Sequence, residues 1–191
     1  FKISHDLKKI SPKYFIDFDL AKNISLELLN FESNRRNESN IKSEISLKNN
    51  NIIFKYIKFS EGKNLISVND LRLNNKKEIS SISSIDVKTF NNNVENNNFK
   101  ISFKKKISIK GSKFDATHLL KQFTSNSTSN PLKNFTKDIE IDLKSLITKS
   151  RVPLKEFKLI GHINKGKFEK ISSKSEFSDT EYLDISLKKD E

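Results

Sequence analysis

Apolar and polar residues alternate along most of this chain, and the alternation has the period of a β-strand. Tyr14, Ile16, Phe18 and Leu20 fall on one side of a predicted strand, with Asp17 and Asp19 on the other. Ile24, Leu26 and Leu28 repeat the pattern, and residues 41–47 carry it again. Residues 52–59 are apolar on both sides, which predicts a more buried strand, and residues 61–64 read as a hairpin turn. Strands follow at 65–73 and 79–90. The asparagines at 91–93 and 96–98 read as a low-complexity loop. Alternation resumes at Phe99, Ile101 and Phe103, then at Ile107 and Ile109. It returns at Ile139, Ile141 and Leu143, over residues 154–163 and 168–171, and at Leu183, Ile185 and Leu187. Residues 2–10 are weakly patterned. About a dozen short strands separated by turns predict an all-β, mainly antiparallel fold.

One stretch departs from this period. Gly111 offers the positive φ that a sharp exit from a sheet often needs. Asp115 has the chemistry of a helix N-cap, with Phe114 and Leu119 at the positions of a hydrophobic staple. Leu119, Leu120 and Phe123 share one helical face, so a short helix is predicted over 115–123. The Ser/Thr/Asn-rich loop at 124–134, with Pro131, divides the chain into an N-terminal part, 1–123, and continuing hairpins, 135–191. One short helix cannot cover the apolar side of so many strands. That side must meet a second sheet, curl over itself, or stay open as a trough for an apolar ligand.

Composition changes the picture in three ways. The chain lacks Met and reads as a piece of a longer protein. It lacks Cys, which removes disulfides, thiolate catalysis and Cys-based metal sites. Its formal charge is +12, yet only Arg35, Arg36, Arg72 and Arg151 are arginines. Nucleic-acid recognition favours the planar fork of Arg. Abundant Lys, Asn and Ile beside scarce Ala reflect AT-rich codons, so no nucleic-acid partner is expected.

The candidate chemistry is thin. Residues 161–168 nearly spell a phosphate-binding loop, but Phe168 stands where Ser or Thr is needed and strands flank it, so a hairpin turn is expected. His5, His118 and His162 have no partner at metal-ligand spacing. Asp17/Asp19 and Asp138/Glu140/Asp142 share faces as i, i+2 carboxylates, the pattern of a solvated outer face. No catalytic residue, metal or cofactor is expected.

The order of the later pieces is similar to that of a known family. Residues 109–116, followed by Leu119 and Leu120, resemble the strand–glycine–aromatic-Asp-Ala–helix step of AsmA-like proteins of the YhdP type. These belong to the bridge-like lipid-transfer superfamily and are related to TamB. Residues 139–146, 154–163 with 166–168, and 177–179 with 183–187 resemble the strand and hairpins that follow. The resemblance is best over 99–187. It implies a non-catalytic segment of a periplasmic protein, tethered to the inner membrane of a Gram-negative bacterium by another part of its chain. Such a segment would carry phospholipid acyl chains along a curled, apolar β-trough towards the outer membrane. Ile139, Ile141, Leu143, Phe157, Leu159, Ile163, Leu183, Ile185 and Leu187 are the residues expected to line it. The competing expectations are a closed β-sandwich or solenoid module of an envelope protein and, behind it, a basic nucleic-acid-binding domain.

Overall fold

A computed structural model describes residues 2–6, 12–21, 23–33, 38–118, 136–150, 152–165, 167–178 and 181–188. They form one 13-stranded sheet and a small two-stranded one. The strands of the large sheet are β1 (Lys2–Asp6), β2 (Lys13–Asp19), β5 (Ser39–Lys48), β6 (Asn51–Glu61), β7 (Asn64–Leu73), β8 (Ile79–Ser81), β9 (Ser84–Asn91), β10 (Val94–Phe103), β11 (Ile107–Asp115), β12 (Lys137–Ile147), β13 (Leu154–Asn164), β14 (Lys167–Glu176) and β15 (Tyr182–Lys188). The small sheet pairs β3 (Ser25–Leu26) with β4 (Phe31–Glu32) around a single 3₁₀ turn, Glu27–Leu29.

Neighbours in the large sheet follow chain order, except that β8 and β9 lie end to end along β7. The predicted strand 79–90 is therefore two pieces, broken at Ile82 and Ser83. Every pairing is antiparallel except β11 with β12, which run parallel. A parallel pair needs a crossover connection between its strands, here between Asp115 and Lys137 in the chain. The loop expected at 124–134 lies outside the described residues. The sheet nevertheless continues across that point, with Ile107 opposite Ile139 and Ile109 opposite Ile141.

The helix expected over 115–123 is not found where it can be checked. Asp115 ends β11, and 117–118 form a turn. The capping contact is present: Asp115 Oδ1 accepts from the Thr117 N–H at 3.2 Å and from its hydroxyl at 2.6 Å. Leu119, Leu120 and Phe123 lie outside the described residues.

Gly111 is also not what its sequence context suggested. It sits inside β11 without a positive φ; among the described glycines only Gly62, in the β6–β7 turn, has one. Its role is close approach. A Cβ there would meet Asn98 O at 2.2 Å and Phe99 Cα at 2.5 Å. The β10–β11 register shifts at this point, with Phe99 opposite Gly111 but Asn98 opposite Lys113. The extra residue, Ser112, is a β-bulge. It turns Phe114 beside Phe99, ring centroids 4.7 Å apart.

The near-phosphate-loop at 161–168 is a hairpin, β13–β14, with Asn164 opposite Lys167. The asparagine-rich stretch is not a loop throughout. Asn92 and Asn93 form the β9–β10 turn with φ of 49° and 64°, as a tight twisted hairpin requires. Asn96, Asn97 and Asn98 lie within β10, and Asn96 and Asn97 are buried.

Candidate functional site

The register places one apolar residue after another on a single face of the large sheet. Ile16 faces Ile3 on one side and Ser43 on the other; Phe18 faces Ile41, and Ile41 faces Phe59. Phe59 is opposite Ile66, Ile66 opposite Val87, and Val87 opposite Phe99. Phe99 adjoins Gly111, which adjoins Leu143, which adjoins Phe157. Directly opposed residues share a face, so this largely apolar stripe crosses the sheet from β1 to β13.

All nine residues expected to line a trough are on this face. Ile139, Ile141 and Leu143 of β12 stand opposite Gly161, Leu159 and Phe157 of β13, and Ile163 stands opposite Lys137. Leu183, Ile185 and Leu187 of β15 stand opposite Ser175, Ser173 and Ile171 of β14. Their exposure is graded. Leu143 is at 0% and Ile163 at 2%, whereas Ile185 is at 39% and Leu187 at 60%. Ser173 and Ser175, both buried, interrupt the apolar lining at β14; alternation of apolar residues alone did not reveal them.

Ile107, Ile139 and Ile163 form one buried cluster, with Phe103, Ile109 and Leu159 packed on it. Val87, Phe99 and Leu143 form another, joined by Leu29, Ile66, Phe114 and Leu146. The first cluster joins neighbouring strands β11, β12 and β13, and the second reaches from β9 and β10 over Gly111 of β11 to β12. The sheet is open, not closed into a barrel. Among the described residues no second large sheet lies over it; the one segment that crosses the face is 23–33.

That segment is held by a buried polar cluster. The chain leaves β2 and re-enters β5 at adjacent points, with Leu20 N–H donating to Ser39 O at 2.8 Å. In between, it crosses to β9, β10 and β11. Asn97 Nδ2 donates to Leu29 O at 2.7 Å and to Thr89 Oγ1 at 2.8 Å, and its Oδ1 accepts from the Asp115 N–H at 2.8 Å. Asn96 Nδ2 donates to Asn30 O at 3.0 Å, and Asn91 Nδ2 to the same carbonyl at 2.8 Å. Asn30 Nδ2 donates to Asp115 Oδ2 at 2.8 Å. Phe31 packs edge-on against Phe59, centroids 6.0 Å apart. Ile24, Leu26 and Leu28 therefore do not continue a long strand as their spacing suggested. Between this segment and the β6–β7 and β9–β10 turns lies a polar cavity of about 990 Å³, lined by Asn23, Glu27, Asn64, Asn92 and His118 among others.

The opposite face is polar, and its charges pair across strands. Lys42 lies opposite Asp17 with Nζ–Oδ2 of 3.1 Å, Lys100 opposite Asp86 at 2.9 Å, and Lys174 opposite Asp184 at 3.6 Å. His162 lies opposite Asp138, Nδ1–Oδ1 2.8 Å. Glu140 is bonded by Lys106 and, at 3.3 Å, by Lys110. The i, i+2 carboxylates are thus the outer face of a half-solvated sheet. His118 borders the polar cavity, and the side chain of His5 lies outside the described residues. No cluster among the described residues has the makings of a metal site.

Three carboxyls, those of Asp17, Glu44 and Glu140, are held below their usual range. Hydrogen bonds from Lys106 and then Lys110 lower Glu140. A hydrogen bond from Lys13 lowers Glu44 against an opposing burial effect, with help from Lys55. Hydrogen bonds from Asn40 and then Lys42 lower Asp17. A depressed folded-state pKa stabilises above the unfolded value and is lost as pH falls through the folded one. The urea midpoint should therefore hold steady down to the ordinary carboxyl values, 4.5 for Glu and 3.8 for Asp, and decline below them. Glu140→Gln should make that acid decline shallower; an unchanged slope would mean that the lysine contacts are not made in solution.

The described residues thus define an open, mostly antiparallel β-sheet with one apolar and one charged face. Compared with family models, with curated proteins and with solved structures, the chain finds no match.

Proposed function

We propose that this chain is a non-catalytic lipid-conduit segment whose apolar sheet face carries phospholipid acyl chains. The observation that supports this most is the register: apolar residues of successive strands fall on one face of a sheet that has no second large sheet over it among the described residues. Each acyl methylene moved from water onto such a face gains about 0.8 kcal/mol. Contacts with a lining of Ile, Leu, Val and Phe are non-directional, so a chain held this way is free to slide. The lysines of the opposite face and the rim meet phosphate head groups as mobile point charges.

The resemblance over 99–187 to AsmA-like proteins of the YhdP type supplies the setting. On that resemblance the segment would lie in the periplasm, in a protein tethered to the inner membrane and moving phospholipid between the two membranes. The test is a phospholipid with a photoactivatable group on its acyl chain. Labelled peptides should map to Ile139–Leu143, Phe157–Ile163 and Leu183–Leu187. Labelling confined to lysine-rich turns and the charged face would contradict the proposal.

A further inference from the structure

We infer that residues 23–33 are a lid that regulates access to the apolar face, occupying with Leu29 and Phe31 a surface that acyl chains would otherwise take. This inference rests on the lipid-conduit reading and concerns the regulation of that same face.

The connection itself is the first sign. β2 and β5 are antiparallel neighbours paired up to Asp19 and Asn40, and such strands need only a tight turn between them. Instead residues 23–33 form a small hairpin over its apolar side. The hairpin is self-contained: Ile24 N–H donates to Ser33 Oγ at 2.7 Å, Ser33 N–H returns to Ile24 O at 2.8 Å, and Leu26 pairs with Phe31. A unit that carries its own hydrogen bonds can lift away without unfolding the strands beneath it.

Its attachment is the second sign. Leu29 joins the Val87–Phe99–Leu143 cluster, and Phe31 covers Phe59. The remaining hold is polar. The amides of Asn91, Asn96 and Asn97 grip the Leu29 and Asn30 carbonyls, and Asn30 reaches Asp115. Buried amides aimed at the backbone of a loop fix its position by directional bonds, which water can replace once the loop lifts. At the other end of the sheet Ile185 and Leu187 carry no such cover among the described residues and are exposed. The hairpin thus covers the part of the apolar face that holds Phe59, Val87, Phe99 and Leu143, and β15 is an exposed edge of that face. With the lid down, acyl chains have the rest of the face alone; with the lid raised, Phe59, Val87 and Phe99 extend the path.

Two variants test this with the acyl-photoactivatable phospholipid. In the first, residues 21–38 are replaced by Asn-Gly, a two-residue turn suited to the β2–β5 hairpin. In the second, Asn30→Cys and Asp115→Cys are joined by a short thiol cross-linker, which is selective because the chain has no other cysteine. The lidless variant, and the second variant before cross-linking, should label Val87 and Phe99 peptides at least about tenfold more than the cross-linked form. Labelling of the Leu183–Leu187 peptide should be the same in all. Equal labelling of Val87 and Phe99 in cross-linked and uncross-linked protein, with Leu183–Leu187 labelled throughout, would overturn the lid and leave the conduit reading standing. Absence of labelling on the apolar face in every form would overturn the conduit reading and the lid with it.

Discussion

Gly111→Ala is expected to destabilise the sheet by about 3 kcal/mol or more, beyond the usual cost of overpacking, because the obstacle is backbone. The new Cβ would lie 2.2 Å from Asn98 O and 2.5 Å from Phe99 Cα. No side-chain rotation relieves either contact, so β10 and β11 must separate. The separation would undo the bulge at Ser112 and with it the placement of Phe114 against Phe99 and of the Asp115 N–H on Asn97. The damage therefore spreads to the centre of the sheet and to the seat of the 23–33 hairpin. Urea denaturation with near-ultraviolet and intrinsic fluorescence probes measures it. A midpoint within error of the parent would show that the strands do not approach this closely. Gly161→Ala, whose Cβ would meet Lys170 O at 2.7 Å and Ile139 Cγ2 at 3.4 Å, should be damaging but milder.

Ile185→Asp is expected to do the opposite: remove lipid and spare the fold. Ile185 is on the apolar face of β15, opposite Ser173, and 39% exposed. A carboxylate there stays hydrated at the sheet's edge, so unfolding free energy should change by no more than about 1 kcal/mol. It would place a fixed negative charge in the path of an acyl chain, where an unpaired charge in apolar surroundings is costly. Copurified lipid should fall by at least about fivefold, a loss of about 1 kcal/mol of binding. Ile160→Asp is the control. Ile160 is 64% exposed and lies on the charged face, so its lipid content should match the parent. Equal lipid in Ile185→Asp and the parent would remove β15 from the path.

The strands and their apolar face were legible in the sequence because period two is set by backbone geometry alone. Ile139, Ile141 and Leu143 must point the same way whatever they pair with. The same holds for Leu183, Ile185 and Leu187. The hairpin at 161–168 followed from the strand pattern on both sides, and the outer-face reading of Asp138, Glu140 and Asp142 followed from their parity.

What was not legible depended on partners far away in the chain. Nothing local tells that β11 meets β12 in parallel, since strand direction is settled by the crossover between them. Gly111 looked like a turn glycine; only the approach of Phe99 from β10 explains it. Ile24, Leu26 and Leu28 alternate as a strand would, yet Asn96 and Asn97, some seventy residues on, capture the backbone that follows. Those asparagines resembled a loop because their composition is that of a loop. The signal that was available is their setting: Asn96–Asn98 run directly into the alternation of Phe99, Ile101 and Phe103 and can be read as the start of that strand.

The measurement closest to the central claim is organic extraction and mass spectrometry of the purified protein, made in the periplasm behind a signal sequence, beside a control protein of similar charge. The account predicts phospholipid at near-stoichiometric or higher levels, above the control and retained through high-salt washing, since apolar contacts survive screening and lysine–phosphate contacts do not. A folded, monomeric protein free of phospholipid, or one that gives it up to salt, would contradict it.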